Sequence, residues 1–221
     1  MSGSVTVIAY HGIGTPPRSL DPGEGEYWVT TDAFLRTLDL VAGRADVRLT
    51  FDDGNASDAE IATPALAQRG LVGEFFLCAA RLGAPHFLSA SAARDVRAAG
   101  MTIGSHGMRH RPWRGLRGAE LHEEIVDAKR LLEEAVGAPV THAACPFGSY
   151  GRVCLSALRR AGFARVYTTD PGRADPSAWL QRRETFRAGD DPRIVLSWLD
   201  GAPPLLERAT RAAKETVKRW R

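Results

Sequence analysis

Two adjacent carboxylates, Asp52 and Asp53, close an apolar run in Thr50-Phe51-Asp52-Asp53-Gly54. Side by side they repel one another, and both stay ionised only beside a cation or else share a proton. Two imidazoles, His106 and His110, lie in Gly104-Ser105-His106-Gly107-Met108-Arg109-His110. Their spacing lets both reach one ion from a helical turn or a tight loop. Two histidines and one carboxylate are a ligand set of catalytic zinc that keeps positions open for water and substrate. A third stretch, Cys145-Pro146-Phe147-Gly148, is a Pro-aromatic-Gly turn able to aim backbone N–H groups at a developing oxyanion. Each has a plainer reading. Asp-Asp-Gly is good turn chemistry, the histidines fit a basic surface loop with Arg109 and Arg111, and the third stretch fits a simple strand-to-helix turn. Cys145 reads as a buried structural thiol rather than a nucleophile.

All three stretches follow strand-like segments. Val5 to Tyr10, Val47 to Phe51, Val72 to Cys78, Met101 to Ser105, Val140 to Cys145 and Ala164 to Thr168 are short apolar runs. Helical spacing lies between them: Phe34, Leu38 and Val41 after a cap at Thr31-Asp32, Ile61 to Gln68, Ser91 to Ala99, and Val153 to Ala161. The clearest helix is Ala119 to Val136, with Leu121, Ile125, Ala128, Leu132 and Ala135 on one face and Gly137 as its stop. This alternation predicts parallel βα units in an α/β sheet or barrel, whose strand C-terminal ends carry the site. Gly12 to Tyr27 and Thr169 to Ala178, rich in Pro and Gly, read as surface loops within one domain.

In this order, each after a strand, the three motifs resemble the polysaccharide deacetylase family, the NodB-like domain of carbohydrate esterases. The resemblance runs from about Val5 to Arg183 and includes Ala62-Thr63-Pro64-Ala65-Leu66 and Gly73-Glu74-Phe75-Phe76-Leu77. It implies a distorted (β/α) barrel of about seven parallel strands. It implies one divalent ion on Asp53, His106 and His110, with zinc the default and cobalt, nickel, manganese or iron also accepted by such a site. It implies Asp52 as general base and the backbone N–H of Phe147 as an oxyanion donor.

The chain departs from the family pattern in three places. Gly107 stands where Ser or Thr is usual. Ala144 stands where an Arg normally orients the base, and Arg183, in Gln181-Arg182-Arg183-Glu184 on a late strand, is the candidate replacement or an ordinary strand-end charge. Leu196-Ser197-Trp198 offers Trp where the family places an acid His. His11, after the first strand in Ala9-Tyr10-His11-Gly12, is the candidate substitute or a loop histidine bonding backbone. The Tyr-His pair and the late Arg resemble the exopolysaccharide-type branch. Pro146, Tyr150 and Trp113 are the expected sugar contacts, with plain packing the alternative for the aromatics. His86, His122 and His142 read as structural.

A net charge of +3 without a clustered patch is no nucleic-acid signature. The three cysteines, Cys78, Cys145 and Cys154, form no disulfide framework. The N-terminus lacks the pattern of a signal peptide, and no apolar run is long enough to cross a bilayer, so a cytoplasmic protein is expected. Residues 203–221 read as a basic amphipathic helix that packs on the barrel or lies on an anionic membrane. The expected activity is removal of acetyl from an N-acetylated amino sugar, whether free, lipid-linked or in an oligosaccharide. The alternatives are a non-catalytic carbohydrate- or metal-binding barrel and a hydrolase of a non-sugar amide.

Overall fold

Leu49 and Phe51 join the main apolar cluster on one side of their strand, so Thr50 and Asp52 face the other way. The computed structural model describes residues 3–200, and in it this strand is β4, Val47–Asp53. It lies between β1 (Thr6–Tyr10) and β5 (Gly73–Leu77). β6 (Thr102–Ser105), β7 (His142–Ala144), β8 (Arg165–Tyr167) and β9 (Leu180–Gln181) follow in order, and β10 (Glu184–Thr185) flanks β1 on its other side. The pairings in this eight-stranded sheet are parallel.

Arg182 and Arg183 alone separate β9 from β10, yet β9 pairs with β8 and β10 with β1. One extended stretch therefore joins the two edges, and the sheet curls into a distorted barrel. The single late strand of the sequence reading is split by this seam, which accounts for eight strands instead of seven. Alternation along the strands sorts the apolar residues into two layers. Ile8, Tyr10, Phe75, Leu77, Ala143 and Val166 pack outward under the helices. Val7, Phe76, Ala144 and Tyr167 fill the inside with Val5 and Ala174.

The helices are α1 (Thr31–Val41), α2 (Thr63–Ala67), α3 (Ala90–Ala98), α4 (Gly118–His122), α5 (Ala128–Val136), α6 (Arg152–Arg160) and α7 (Ile194–Asp200). The cap of α1 is Thr30, whose side chain accepts from the Ala33 N–H, one residue before the expected position. α2 is preceded by a wide π turn, Asp58–Ala62. Pro64 has no N–H to continue the ladder, and both the N–H and the hydroxyl of Thr63 close back onto the Asp58 carbonyl. A second π turn, Glu123–Asp127, joins α4 to α5, so the long helix is interrupted and ends its buried face at Val136 rather than Ala135. Gly12 to Tyr27 is not a plain surface loop. β2 (Gly12–Ile13) pairs with β3 (Trp28–Val29), and a short 3-10 turn, Glu24–Tyr27, lies between them. Residues 203–221 lie outside the described residues. Among the described residues no helix is long and apolar enough to cross a membrane.

Glu74, near the start of β5, accepts from Nδ1 of His142 (2.7 Å) and from the Tyr167 hydroxyl (2.7 Å), with Arg165 at 3.7 Å. Burial pushes its carboxyl up, but these partners outweigh burial and hold it below 4.5. A depressed folded-state pKa adds stability that is present above pH 4.5 and lost as the pH falls through the folded value. Glu74→Gln should therefore lower the melting temperature at pH 7 and flatten its fall toward pH 4, as thermal melts at the two pH values will read.

Candidate metal centre and active site

Neighbouring residues on a strand point to opposite faces, so Asp52 and Asp53 should diverge. They do not, because Asp53 has φ 77 and turns its side chain back toward the site. Both carboxylates then meet the same imidazole: Nε2 of His106 lies 3.8 Å from Asp52 Oδ2 and 3.7 Å from Asp53 Oδ1. His106 is buried after β6, and its Nδ1–H donates to the Ala144 carbonyl at 2.8 Å. That bond fixes the tautomer and leaves Nε2 free to bind an ion. Nε2 of His110 lies 3.1 Å from the same Asp53 oxygen. Burial, resisted by Asp53, lowers the His110 pKa to about 4, so the ring is neutral at pH 7, as a ligand must be. His110 (φ 54) and Phe147 (φ 56) are also left-handed. Such conformations cost about 1–3 kcal/mol each in non-glycine residues and concentrate where geometry is functional.

One ligand atom each from Asp53, His106 and His110 lies within 4.8 Å of the others. Asp53 Oδ1 is buried without a hydrogen-bond partner, as expected of an oxygen reserved for an ion. Asp52 is held differently. Arg183, fully buried at the seam between β9 and β10, donates from Nη1 and Nη2 to its two oxygens at 2.7 Å each. Thr50 Oγ1 (3.2 Å to Nη1) and the Thr168 carbonyl (2.9 Å from Nε) fix the guanidinium. Burial pushes the Asp52 carboxyl up, but Arg183, His106 and His11 together hold it well below the usual range. Of the two readings of Arg183, the ordinary strand-end charge does not hold, since its fork is buried on Asp52.

His11 follows β1 and packs at a tilt against Tyr27, with ring centroids 4.9 Å apart and Nε2 4.0 Å from Asp52 Oδ2. Burial, the largest influence, lowers its pKa. Phe147 sits in the turn Pro146–Gly148, its side chain 63% exposed and its ring on that of His110, 4.4 Å between centroids. A turn of this kind gives its second N–H no acceptor inside the turn, which suits an oxyanion donor.

Trp113 and Tyr150 do not face this space. Trp113 is 1% exposed and donates to Glu124, and Tyr150 is buried with its hydroxyl on Asp170 at 2.6 Å. Both polar tips are satisfied in the interior, so both residues pack rather than offer a ring to a sugar. Pro146 is buried beneath its turn. Trp198 packs against Phe186 on the outer layer, so the Leu-Ser-Trp stretch supplies no site residue. His86 and His122 are exposed. Cys78, Cys145 and Cys154 are free and buried, and burial pushes the thiols of Cys78 and Cys145 up, away from nucleophilic chemistry.

Glu124 escaped the sequence reading. Fully buried on the π turn, it accepts from the N–H groups of Met108 (2.9 Å) and Arg109 (3.1 Å) and from the Trp113 indole (3.3 Å). It thereby clamps the loop carrying both histidines. It also explains Gly107: at φ 84, a Cβ there would lie 2.5 Å from Glu124 Oε2 and 3.0 Å from the Trp113 indole nitrogen. Glu124→Gln turns an amide N–H toward donors and loosens the loop between the two histidines, so affinity for a divalent ion at this candidate centre should fall, by roughly 10–100-fold on the scale of outer-shell changes. Competition with a chelator will measure it.

The polysaccharide deacetylase family profile matches residues 39–166, more than half of the chain. YxkH of Bacillus subtilis (strain 168) is 28% identical over 142 residues, 64% of this chain and 51% of that protein, so the match spans about half of that relative's length. A chitooligosaccharide deacetylase from Bradyrhizobium sp. (strain ANU 289) is 27% identical over 185 residues, 80% of each chain. Two solved structures share the fold: the deacetylase PplD of Streptococcus pyogenes in complex with acetate (TM-score 0.77, 18% identity, 91% of this chain and 100% of that chain) and IcaB from Ammonifex degensii (TM-score 0.73, 22% identity, 90% and 97%).

Proposed function

This chain belongs to the polysaccharide deacetylase family, and we propose that it hydrolyses the N-acetyl group of an amino sugar with a divalent ion, releasing acetate and a free amine. The observation that carries this reading is the division of labour between the paired carboxylates. Asp52 is committed to Arg183, while Asp53 presents an unpartnered oxygen to two imidazoles. A module that only bound sugar would have no use for the buried, guanidinium-held Asp52 beside that cluster.

Asp53, His106 and His110 would hold the ion, with zinc favoured by the donor set. When bound, it would polarise the amide carbonyl and lower the pKa of water. Asp52, held ionised and oriented by Arg183, takes the proton of the attacking water. The backbone N–H of Phe147 steadies negative charge on the former carbonyl oxygen as the carbon becomes tetrahedral. His11, 4.0 Å from Asp52, is the proposed carrier that passes the proton taken up by Asp52 on to the departing amine. Collapse breaks the C–N bond, leaving acetate and the protonated amine.

Metal analysis of wild type beside His106→Ala tests the reading, with acetate release from N-acetylglucosamine oligosaccharides measured on both. The expected result is about one tightly held ion per wild-type chain, lost together with acetate release in the variant. No metal in the wild type after loading with zinc or cobalt, and no acetate, overturns it.

A further inference from the structure

Arg81 is a cation at the mouth of the site with no task in the chemistry above. It ends the short turn Ala79–Arg81 after β5, and that turn is pinned to the histidine loop by Ala79 N–H on the Gly107 carbonyl (2.9 Å) and Ala80 N–H on the Met108 carbonyl (3.0 Å). Its Nη1 lies 3.7 Å from Asp53 Oδ1, too far for a hydrogen bond. Its guanidinium lies 5.1 Å from the centre of the Phe87 ring. Phe87 carries a second guanidinium, that of Arg18, also at 5.1 Å. The two cations differ in their partners. Arg18 is neutralised by Glu24, with Nη1 2.9 Å from Oε2. Among the described residues, Asp53 is the carboxylate within ion-pair distance of Arg81. Asp53 also faces His110 and is the oxygen placed to hold an ion. With that charge shared by a divalent ion, Arg81 would be left a quarter exposed, held by Phe87 beside the proposed ion's ligand Asp53.

We propose that Arg81 recognises an anionic group on the substrate, and that the substrate is an N-acetylated amino sugar bearing phosphate on its anomeric carbon; this rests on the hydrolase reading. A guanidinium fork matches phosphate oxygens two at a time. In a 2-acetamido sugar the anomeric carbon adjoins the carbon that carries the amide, so an anomeric phosphate on an amide-bound sugar would lie a few bonds from the ion, within reach of a guanidinium beside Asp53. A uronate carboxylate hangs from the far side of the ring. Free sugar 1-phosphates, nucleotide-diphosphate sugars and lipid-diphosphate sugars all present this phosphate.

The test uses the metal-loaded protein as wild type, Arg81→Met and Arg81→Lys. Substrates are N-acetylglucosamine, its 1-phosphate, its nucleotide diphosphate and 2-acetamido-2-deoxyglucuronic acid. Calorimetric binding of glucosamine 1-phosphate against glucosamine gives a readout independent of turnover. The wild type should favour a phosphorylated sugar in kcat/KM and in binding by about tenfold or more, the worth of one charge-assisted contact. The preference should vanish in Arg81→Met and survive only in part in Arg81→Lys, which keeps the charge but loses the fork. Whether the free phosphate or the diphosphate is used better separates the sources of that phosphate. Equal use of neutral and phosphorylated sugars, preference for the uronate, or an Arg81→Met that slows every substrate alike overturns the assignment while leaving the hydrolase reading standing. Absence of acetate from every substrate sinks the hydrolase reading, and the binding preference then decides the role of Arg81 alone.

Discussion

Asp52→Asn should reduce turnover by roughly 10²–10⁴-fold, the contribution of a positioned general base, while affinity for the proposed divalent ion is kept. The substitution conserves shape, so Asp53, His106 and His110 keep their places around the proposed ion. It removes the one oxygen pair that is oriented by Arg183 and lies near both His106 and His11. An asparagine oxygen still accepts a hydrogen bond from one Nη, but its NH2 faces the other Nη donor, so the variant loses stability as well as a group that takes a proton from water. Acetate release and metal content, read together with a thermal melt to check folding, will decide the matter. A variant that retains turnover within tenfold removes Asp52 from the chemistry. One that loses metal as well shifts Asp52 into the ligand set. If the barrel only binds sugar, wild type and variant bind it equally and neither releases acetate.

Much of this site was legible because strand ends announce it. The run Thr50 to Gly54, the histidine pair after Met101 to Ser105, and the turn after Val140 to Cys145 all stand at C-terminal ends of strands in one parallel sheet, so the barrel brings them together. Arg183 could be raised from sequence, beside the reading of an ordinary strand-end charge, because Ala144 stands where the family places an Arg. What was hidden is tertiary. Glu124 had a faint signal: it sits three residues after Leu121 and four before Ala128, so it interrupts the apolar face with an acid. Only the folded chain shows that face meeting the N–H groups of Met108 and Arg109. Trp113 and Tyr150 went astray for the converse reason, since an aromatic near a motif is as fit for a core as for a sugar, and burial decides which. The β2–β3 pair and the contact of Tyr27 with His11 were unreadable because two-residue strands carry no periodicity. Arg81 lies in a turn after β5 that carries no motif, and its nearness to Asp53 comes with the backbone bonds of Ala79 and Ala80 to the histidine loop.

Arg183→Met should destabilise the fold by about 3–5 kcal/mol, because it strands Asp52 as a buried, uncompensated charge. The pair is enclosed on all sides, with Thr50 and Thr168 completing the guanidinium's hydrogen bonds. Its opposite behaviour on double substitution is the sharper expectation. Replacing both members with apolar residues of similar size, Asp52→Leu with Arg183→Met, removes the stranded charge and should recover most of the lost stability. Urea unfolding of the two single variants and the double variant measures the coupling directly. The double variant should be well folded and wholly without acetate release. Linkage gives a second readout: the wild type loses the pair's contribution as the pH falls below the ordinary aspartate range toward the depressed pKa of Asp52. The double variant should lose that acid sensitivity. A double variant no more stable than Arg183→Met would mean that the pair holds the seam between β9 and β10 together. Recovery would mean that the ion pair is present for the reaction, since an apolar core at the same place would have served the fold as well.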